Sequence, residues 1–454
     1  MKSIQEKERT LPVLAETDIL VVGSGPAGAS AAIAASRMGE KTMLVERYGC
    51  FGGVITQVGV ENIAWYRHEQ TIEAGGLAFE YEKRALALGA CANETQSVSQ
   101  ALDTEMFKYI LDNMVLEAGV TPLLHSLASA AIIEDDRIKG IIVEGKSGRQ
   151  AILAKRVIDC SGDADVAASA GVSFTKLPKE KSSHVTPIFS CRGVDINKFK
   201  KYIYEDLQPT YKEWVRGWGV ETNGKEDELF APYLLDAFNQ AIKEGLIDVD
   251  PDVRLAGTFS TMSQEGDVTT INVVFIKNCD CTNVFDLTRA EITGRKSVLQ
   301  AITALKAYVP GFENARLRNF GMTLGTRESR LISGNYTLSA HDVMNQARFD
   351  DSIGIFPEFI DGGGKIWIPT TGRYFQIPYR VLVPRTIDNL LVAGRCISGE
   401  KGAHSAFRNM NCCVTTGQGA GVVAAVSLKQ GVTTSQVNVK EVQSALKEQD
   451  VRVD

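Results

Sequence analysis

Asp18-Ile-Leu-Val-Val-Gly-Ser-Gly-Pro-Ala-Gly28 runs on through an alanine-rich segment, Ala29 to Met38, to Met43-Leu-Val-Glu46. An apolar run too short to span a membrane leads into Gly23, Gly25 and Gly28, and a second short apolar run ends on an acid. This is the pattern of a strand-helix-strand unit. Each glycine has a task in a dinucleotide-binding turn: the first makes the tight turn, the second admits a pyrophosphate close to the backbone, and the third lets helix pack on strand. The helix N-terminus then faces the phosphates. Glu46 lies 18 residues after Gly28, near the usual interval of about 20, where its carboxylate can accept from ribose hydroxyls. Glycines at this spacing also occur in ordinary turns. Their placement between strand and helix, with the acid in position, favours the nucleotide.

Outward from this unit, Arg47-Tyr-Gly-Cys-Phe-Gly-Gly-Val-Ile-Thr56 is a glycine-rich loop placed to line a cofactor channel. Tyr66-Arg67-His68 is a polar aromatic cluster that either reaches substrate or lies in a solvated loop. Asp103 to Ala118 carries apolar residues at helical spacing and is closed by Gly119. Short β-rich runs from Val120 to Leu153, beginning with Pro122-Leu-Leu-His, predict a β-meander. Lys155 to Asp165 reads as a strand stopping at small residues and acids, against a nucleotide or as a plain turn with Asp163 or Asp165 capping Val166 to Ala170. Composition then shifts, with Trp214, Trp218 and Trp367, helices at Leu234 to Glu244 and Leu287 to Tyr308, and a strand at Thr269 to Ile276. Near the end, Ile387 to Gly394 is a buried strand, followed by a polar loop through His404 and Arg408. A small-residue helix, Met410 to Leu428, carries Gly417, Gly419 and Gly421, and a polar tail with a modest helix closes the chain. The expected division is 1–173 and 373–433 for a nucleotide-binding domain, 174–372 for an inserted α+β substrate domain, and 434–454 for the tail.

The 454 residues suffice for two or three domains, and 44% hydrophobic with 23% charged residues is an ordinary globular composition. A net charge of -6 argues against nucleic acid or an anionic membrane surface as principal partner. Met1 to Thr10 is polar and no apolar run approaches a spanning length, so neither signal peptide nor anchor is indicated and a cytoplasmic location is expected. Nine cysteines without any CxxC, and five dispersed histidines, predict neither a disulfide framework nor a metal site.

Taken together, Gly23-Ser-Gly-Pro-Ala-Gly28 with Glu46, Gly49-Cys-Phe-Gly-Gly53, Val157-Ile-Asp-Cys-Ser-Gly-Asp-Ala-Asp165, Leu324-Gly-Thr-Arg-Glu-Ser-Arg330 and Ile377-Pro-Tyr-Arg through Asn389-Leu-Leu-Val-Ala-Gly-Arg395 resemble the largely uncharacterised bacterial FAD-dependent oxidoreductases with a glutathione-reductase type of flavin-binding fold. The resemblance covers most of the chain. It implies an α/β fold: a Rossmann-like FAD-binding domain, βαβ plus β-meander, with the inserted domain. It implies noncovalent FAD, with adenosine on Gly23, Gly25, Pro26, Ala27, Gly28 and Glu46. Further contacts are expected from Arg47, Gly52, Gly53 and Val54, from Ser161, Gly162 and Asp163, and, at the flavin end, from Gly394, Arg395, Met410 and Asn411. Position 55 is Ile, so Cys50 has no partner for the dithiol of disulfide reductases; no histidine stands in Gly52 to Thr56 for covalent flavin, and no second GxGxxG for NAD(P) occurs.

The sequence then offers candidates for proton transfer and anion binding. His404, with an unperturbed pKa near 6.5, suits acid/base work if it faces the flavin; the alternative is a hydrogen-bonded loop histidine. Arg408 either binds a substrate carboxylate or forms a structural ion pair. Arg327, Glu328 and Arg330 are expected to form a buried ion-pair network, with Arg327 as a possible substrate anchor. Arg373 and Tyr374 either cap the substrate pocket or sit at a domain junction, and Cys50 is a reactive thiol or a small buried hydrophobe. The expected reaction is hydride transfer between FAD and a small polar, possibly carboxylated organic substrate, with His404 as acid/base, Arg408 as anion anchor and the electron partner undefined. The alternatives are a flavin-dependent monooxygenase and a flavin-carrying subunit of a larger electron-transfer complex.

Overall fold

β1 (Val13–Val22), α1 (Pro26–Arg37) and β2 (Thr42–Val45) form the expected unit, with β1 and β2 parallel from Ile19 opposite Thr42 to Val22 opposite Val45. Pro26 opens α1, where a missing N–H costs nothing. The computed structural model describes residues 2–63, 67, 71–95, 97–207, 219–221, 232–357, 360–362, 365–367 and 372–454, with 219–221 and 365–367 described in backbone only. Tyr66, His68, Trp214, Trp218 and the Trp367 side chain lie outside the described residues.

The parallel part of the main sheet runs Thr121–Leu123, β2, β1, Gly148–Asp159, Leu390–Val392. In chain order that is 3-2-1-4-5, a doubly wound arrangement in which ligands bind beyond the carboxyl ends of the strands. The register sets Val22, Val45, Asp159 and Val392 at one edge. Gly23, Glu46, Cys160 and Ala393, far apart in sequence, therefore leave the sheet together.

Arg137–Gly145 and Leu127–Glu134 continue the sheet antiparallel from the first half of Gly148–Asp159, which makes the meander. Pro122-Leu-Leu-His is not part of it. Thr121–Leu123 is the outer parallel strand, because Met43 to Val45 pair with it, and the meander begins only at Leu127.

Both faces of the sheet are covered. One meets α1, Thr104–Glu117 and Met410–Gln430 in a large apolar cluster that also takes in Leu331, Ile353, Phe356 and Phe375. The other is packed with Leu20, Val157, Ile141 and Leu390. A separate cluster between Val185 and Leu324 surrounds a four-stranded antiparallel sheet in the order Val253–Thr258, Val268–Ile276, Phe189–Arg192, Arg316–Phe320, flanked by the helix Val284–Tyr308.

The alternate glycines of the late helix serve close packing. A Cβ on Gly417 would stand 2.0 Å from the Ala27 carbonyl oxygen, one on Gly421 2.3 Å from that of Ala31, and one on Gly419 2.7 Å from the Ile353 side chain. Two of the three therefore seat this helix on the backbone of α1. The segment before it is not a loop: Lys401–Phe407 is a helix. Nor is the tail simply polar, since Val442, Leu446, Val451 and Val453 are buried in the main cluster.

Candidate functional site

The carboxyl edge opens into one cavity of about 460 Å³ that extends from Gly23 and Glu46 to the second sheet. At the nucleotide end, Gly23 adopts φ +89°, and a Cβ there would lie 2.5 Å from the Cys160 carbonyl oxygen; one on Gly28 would lie 1.7 Å from the Gly23 oxygen. Both glycines are demanded by the protein's own backbone. Gly25 is different. Its φ is -62°, and a Cβ would meet nothing closer than Gly53 Cα at 3.9 Å. The fold has room for a side chain at Gly25, and that room is cavity.

Glu46 is buried, and its carboxylate accepts from the backbone N–H groups of Ser24 and Tyr48, each at 2.9 Å. Gly52 N–H donates to the Ser24 carbonyl at 2.8 Å, and Gly53, at φ +52°, lies so near Gly25 that a Cβ would stand 2.6 Å from its Cα. From there a single π-helical turn, Val54–Val58, carries the chain toward the second sheet, where Thr270 Oγ1 donates to the Gly59 carbonyl at 2.8 Å. That segment bridges the two ends of the cavity.

The remaining strand ends supply charge. Arg395 Nη2 donates to Asp163 Oδ1 at 2.7 Å and to Thr326 Oγ1 at 2.8 Å, and Ser329 Oγ donates to the same Asp163 oxygen at 2.6 Å. Neither Asp163 nor Asp165 caps the short helix Asp165–Ser169. Asp159 does so, accepting from the Ala167 N–H at 2.8 Å and the Ser161 N–H at 3.0 Å, while Asp165 pairs with Arg330 at 2.8 Å.

At the far end the wall is polar. Thr186, Thr258, Thr270 and Asn272 reach the cavity, with Phe275, His184 and Arg254 beside them. Thr270 holds φ +44°, which a β-branched residue rarely adopts and which marks a strained position in Val268–Ile276. Asn272 Oδ1 is buried without a hydrogen-bond partner among the described residues. Glu61, behind this wall, accepts from Thr269 Oγ1 at 2.7 Å, and burial pushes its carboxyl up to about 7.

The candidates expected to do chemistry part company here. Arg327 and Arg408 line the cavity; His404 does not. His404 is 1% exposed, its ring edge-on to Phe407 at 5.3 Å between centroids, its Nε2 unpartnered among the described residues. Burial and then Arg408 hold its pKa well below the usual range, so it stays neutral inside the protein rather than facing a substrate. Arg408 donates to Asp361, the ion-pair alternative.

Arg327, Glu328 and Arg330 do not pair with one another, although two of them enter ion pairs, Glu328 with Lys401 at 3.6 Å and Arg330 with Asp165 at 2.8 Å. Glu328 accepts from Ser183 N–H and Oγ, both at 2.8 Å, Arg330 turns to Asp163 and Asp165, and Arg327 points over the Phe275 ring at 5.0 Å. Successive side chains in this extended run leave on different sides. Of the expected cofactor residues, Gly28, Gly52, Asp163 and Asn411 stand behind the wall, and the other thirteen are on it. Arg67 pairs with Glu82, and Arg373 donates to the Met344 carbonyl. Cys50 is half-buried, off the wall, its thiol pKa pushed up by burial. His184, Arg254, Thr270 and Asn272 are not among the expected residues; the strand Thr269 to Ile276 is a signal for Thr270 and Asn272 only.

The family model described as FAD dependent oxidoreductase matches residues 18–446. The chain belongs to that family. An FAD-dependent oxidoreductase of this kind is an enzyme, and its cofactor is FAD. The residues fit that group: Gly25 leaves a cradle that a Cβ would fill, and Arg395 Nε is buried without a partner among the described residues.

Curated relatives include digeranylgeranylglycerophospholipid reductase 1 of Methanopyrus kandleri, 28% identical over 37% of this chain and 45% of that protein. The digeranylgeranylglycerophospholipid reductase of Methanosarcina acetivorans is 22% identical over 50% of this chain and 60% of that protein. The matched part thus spans less than two thirds of either reductase. A solved geranylgeranyl bacteriochlorophyll reductase-like protein from Thermoplasma acidophilum is 14% identical with a TM-score of 0.47, covering 97% of this chain and 85% of that one. Among the described residues, no helix is long and apolar enough to cross a membrane.

Proposed function

We propose that this FAD-dependent oxidoreductase transfers a hydride between FAD and a small polar organic substrate seated against the antiparallel sheet. The observation that carries this reading is the far wall: Thr258, Thr270 and Asn272 offer hydroxyl and amide groups, with Asn272 Oδ1 still lacking a donor among the described residues. A buried acceptor without a donor favours a substrate bearing hydroxyl or N–H groups over a hydrocarbon chain, because a chain would leave it unpaired.

FAD, when bound, supplies the hydride acceptor or donor. The chain's part is to hold and orient. In this reading Gly23 to Gly28 and Glu46 take the adenosine and pyrophosphate end, in a Rossmann-like domain of the glutathione-reductase type. Arg395, fixed by Asp163 and Thr326, stands at the flavin end. The substrate body is the part of 174–372 with a core of its own, between Val185 and Leu324, because Leu331, Ile353 and Phe356 from the rest of that expected insertion pack in the main cluster. His404, enclosed and neutral, supports Lys401–Phe407 rather than moving the proton. A cytoplasmic location, a small-molecule partner and the absence of nucleic-acid or membrane partners belong to the same proposal.

Oxygen dependence tests it. Without oxygen, a substrate that gives the hydride bleaches the oxidised flavin, and one that accepts it restores the colour of flavin reduced beforehand. A product that forms only with oxygen and contains an added oxygen atom would replace this reading with a monooxygenase.

A further inference from the structure

We infer that the substrate carries a carboxylate and that Arg327, with His184 beside it, is the site that binds it. This rests on the hydride-transfer reading and adds a substrate class to it. Among the described residues, five arginines line the cavity. Arg395 is paired with Asp163, Arg408 with Asp361, the exposed Arg254 donates to Tyr233 Oη at 2.9 Å, and Arg47 is exposed at the adenosine end, over the Tyr48 ring. Arg327 lines the cavity and makes no ion pair or hydrogen bond among the described residues.

Its setting orients it. The guanidinium lies over the Phe275 ring at 5.0 Å, and a stacked guanidinium keeps its in-plane N–H donors free to grip a carboxylate through two parallel bonds. Burial and the neighbouring Arg408 lower its pKa to about 10, against a smaller opposing effect of Asp361, so it remains charged at neutral pH, and the Asp361 carboxylate is already held by Arg408. An enclosed, unpaired cation is costly, and a bound carboxylate offsets that cost.

His184 sets the charge of the ligand. It lines the same end, ring centroid 6.4 Å from that of Phe275. Burial, then Arg327, Lys277, Arg254 and Lys401 drive its pKa to about 4. It is therefore a neutral donor at working pH and adds no second positive charge. One free guanidinium and a neutral imidazole match a carboxylate better than a phosphate dianion.

Calorimetric titration of the FAD-loaded protein tests this, with acetate, lactate and succinate, their amides, and inorganic phosphate as probes. Binding of a carboxylate but neither of its amide nor of phosphate is expected. Arg327→Gln should retain FAD and weaken that carboxylate about 30-fold or more, with Arg327→Lys in between. Binding of amide and acid alike, unchanged affinity in Arg327→Gln, or loss of FAD from that variant would overturn the assignment. Should the hydride reading alone fail, carboxylates still bind but bleach no flavin; should this inference alone fail, a neutral substrate bleaches it.

Discussion

Arg408 donates from Nη2 to the Asp361 carbonyl oxygen at 2.6 Å and to its carboxylate at 3.2 Å. The contact fastens the short strand Ile360–Gly362 to the helix Lys401–Phe407 and neutralises the guanidinium that acts most strongly on Arg327. Asp361→Asn keeps the carbonyl contact but removes the negative charge. Carboxylate probes should then bind more tightly, about tenfold, because both cations become available to the ligand. Titration of this variant beside the wild type checks it; weaker binding would mean that Asp361 itself faces the substrate.

Gly25 and Gly23 should separate cofactor binding from folding. Gly25→Ala adds a Cβ where the protein has room, so it should fold with wild-type thermal stability and yet lose most of its FAD, since the pyrophosphate approaches that point. Gly23→Ala places a Cβ 2.5 Å from the Cys160 oxygen at φ +89° and should lose stability as well as flavin. Flavin absorbance per chain and a thermal melt of each apoprotein read the two effects.

Gly417→Ala should destabilise the protein by about 1–3 kcal/mol even though alanine is the better helix former, because the added methyl meets the Ala27 carbonyl oxygen and forces α1 and the late helix apart. A urea midpoint that does not fall would show that the two helices can part without cost. The same separation moves Ala27 at the phosphate turn, so FAD retention should fall with stability.

Two enclosed titratable groups act on stability with opposite signs. Glu61 has its folded pKa raised from 4.5 to about 7, mainly by desolvation. The folded state therefore keeps a proton that the unfolded chain has released, and stability falls as pH rises from about 4.5 through 7, by at most about 3 kcal/mol. His404 has its folded pKa lowered, mainly by burial, so its contribution is lost as pH falls below about 6.5. Glu61→Gln should flatten the alkaline side of the pH–stability curve and His404→Gln the acid side, measured as chemical-denaturation midpoints across pH. A change in turnover without a change in that curve would return His404 to catalysis.

What could be read in the sequence was what repeats a backbone requirement. Gly23, Gly394 and Glu46 sit at strand ends and Gly28 in the first turn of α1, places marked by local pattern, so the nucleotide edge and the α/β class were legible. The wall opposite was not. Thr270 and Asn272 belong to a strand whose alternation reads as ordinary sheet, and only pairing with distant segments turns them toward the cavity. His404 illustrates the converse. A histidine in a glycine-rich segment looks available, but Lys401–Phe407 forms a helix whose inner face encloses it. Between the two alternatives open for Arg408 the sequence could not choose, because its ion pair with Asp361, 47 residues away in sequence, leaves no local trace.

Anaerobic mixing of the FAD-loaded protein with small hydroxy acids, amino acids and saturated acids, their amides and esters, and a long-chain isoprenoid alcohol, followed by flavin absorbance, weighs the whole picture. Rapid bleaching by one class of small acid, absent with its amide and ester and with the isoprenoid alcohol, is the predicted result. Bleaching by the isoprenoid alcohol with none by any small acid would contradict it.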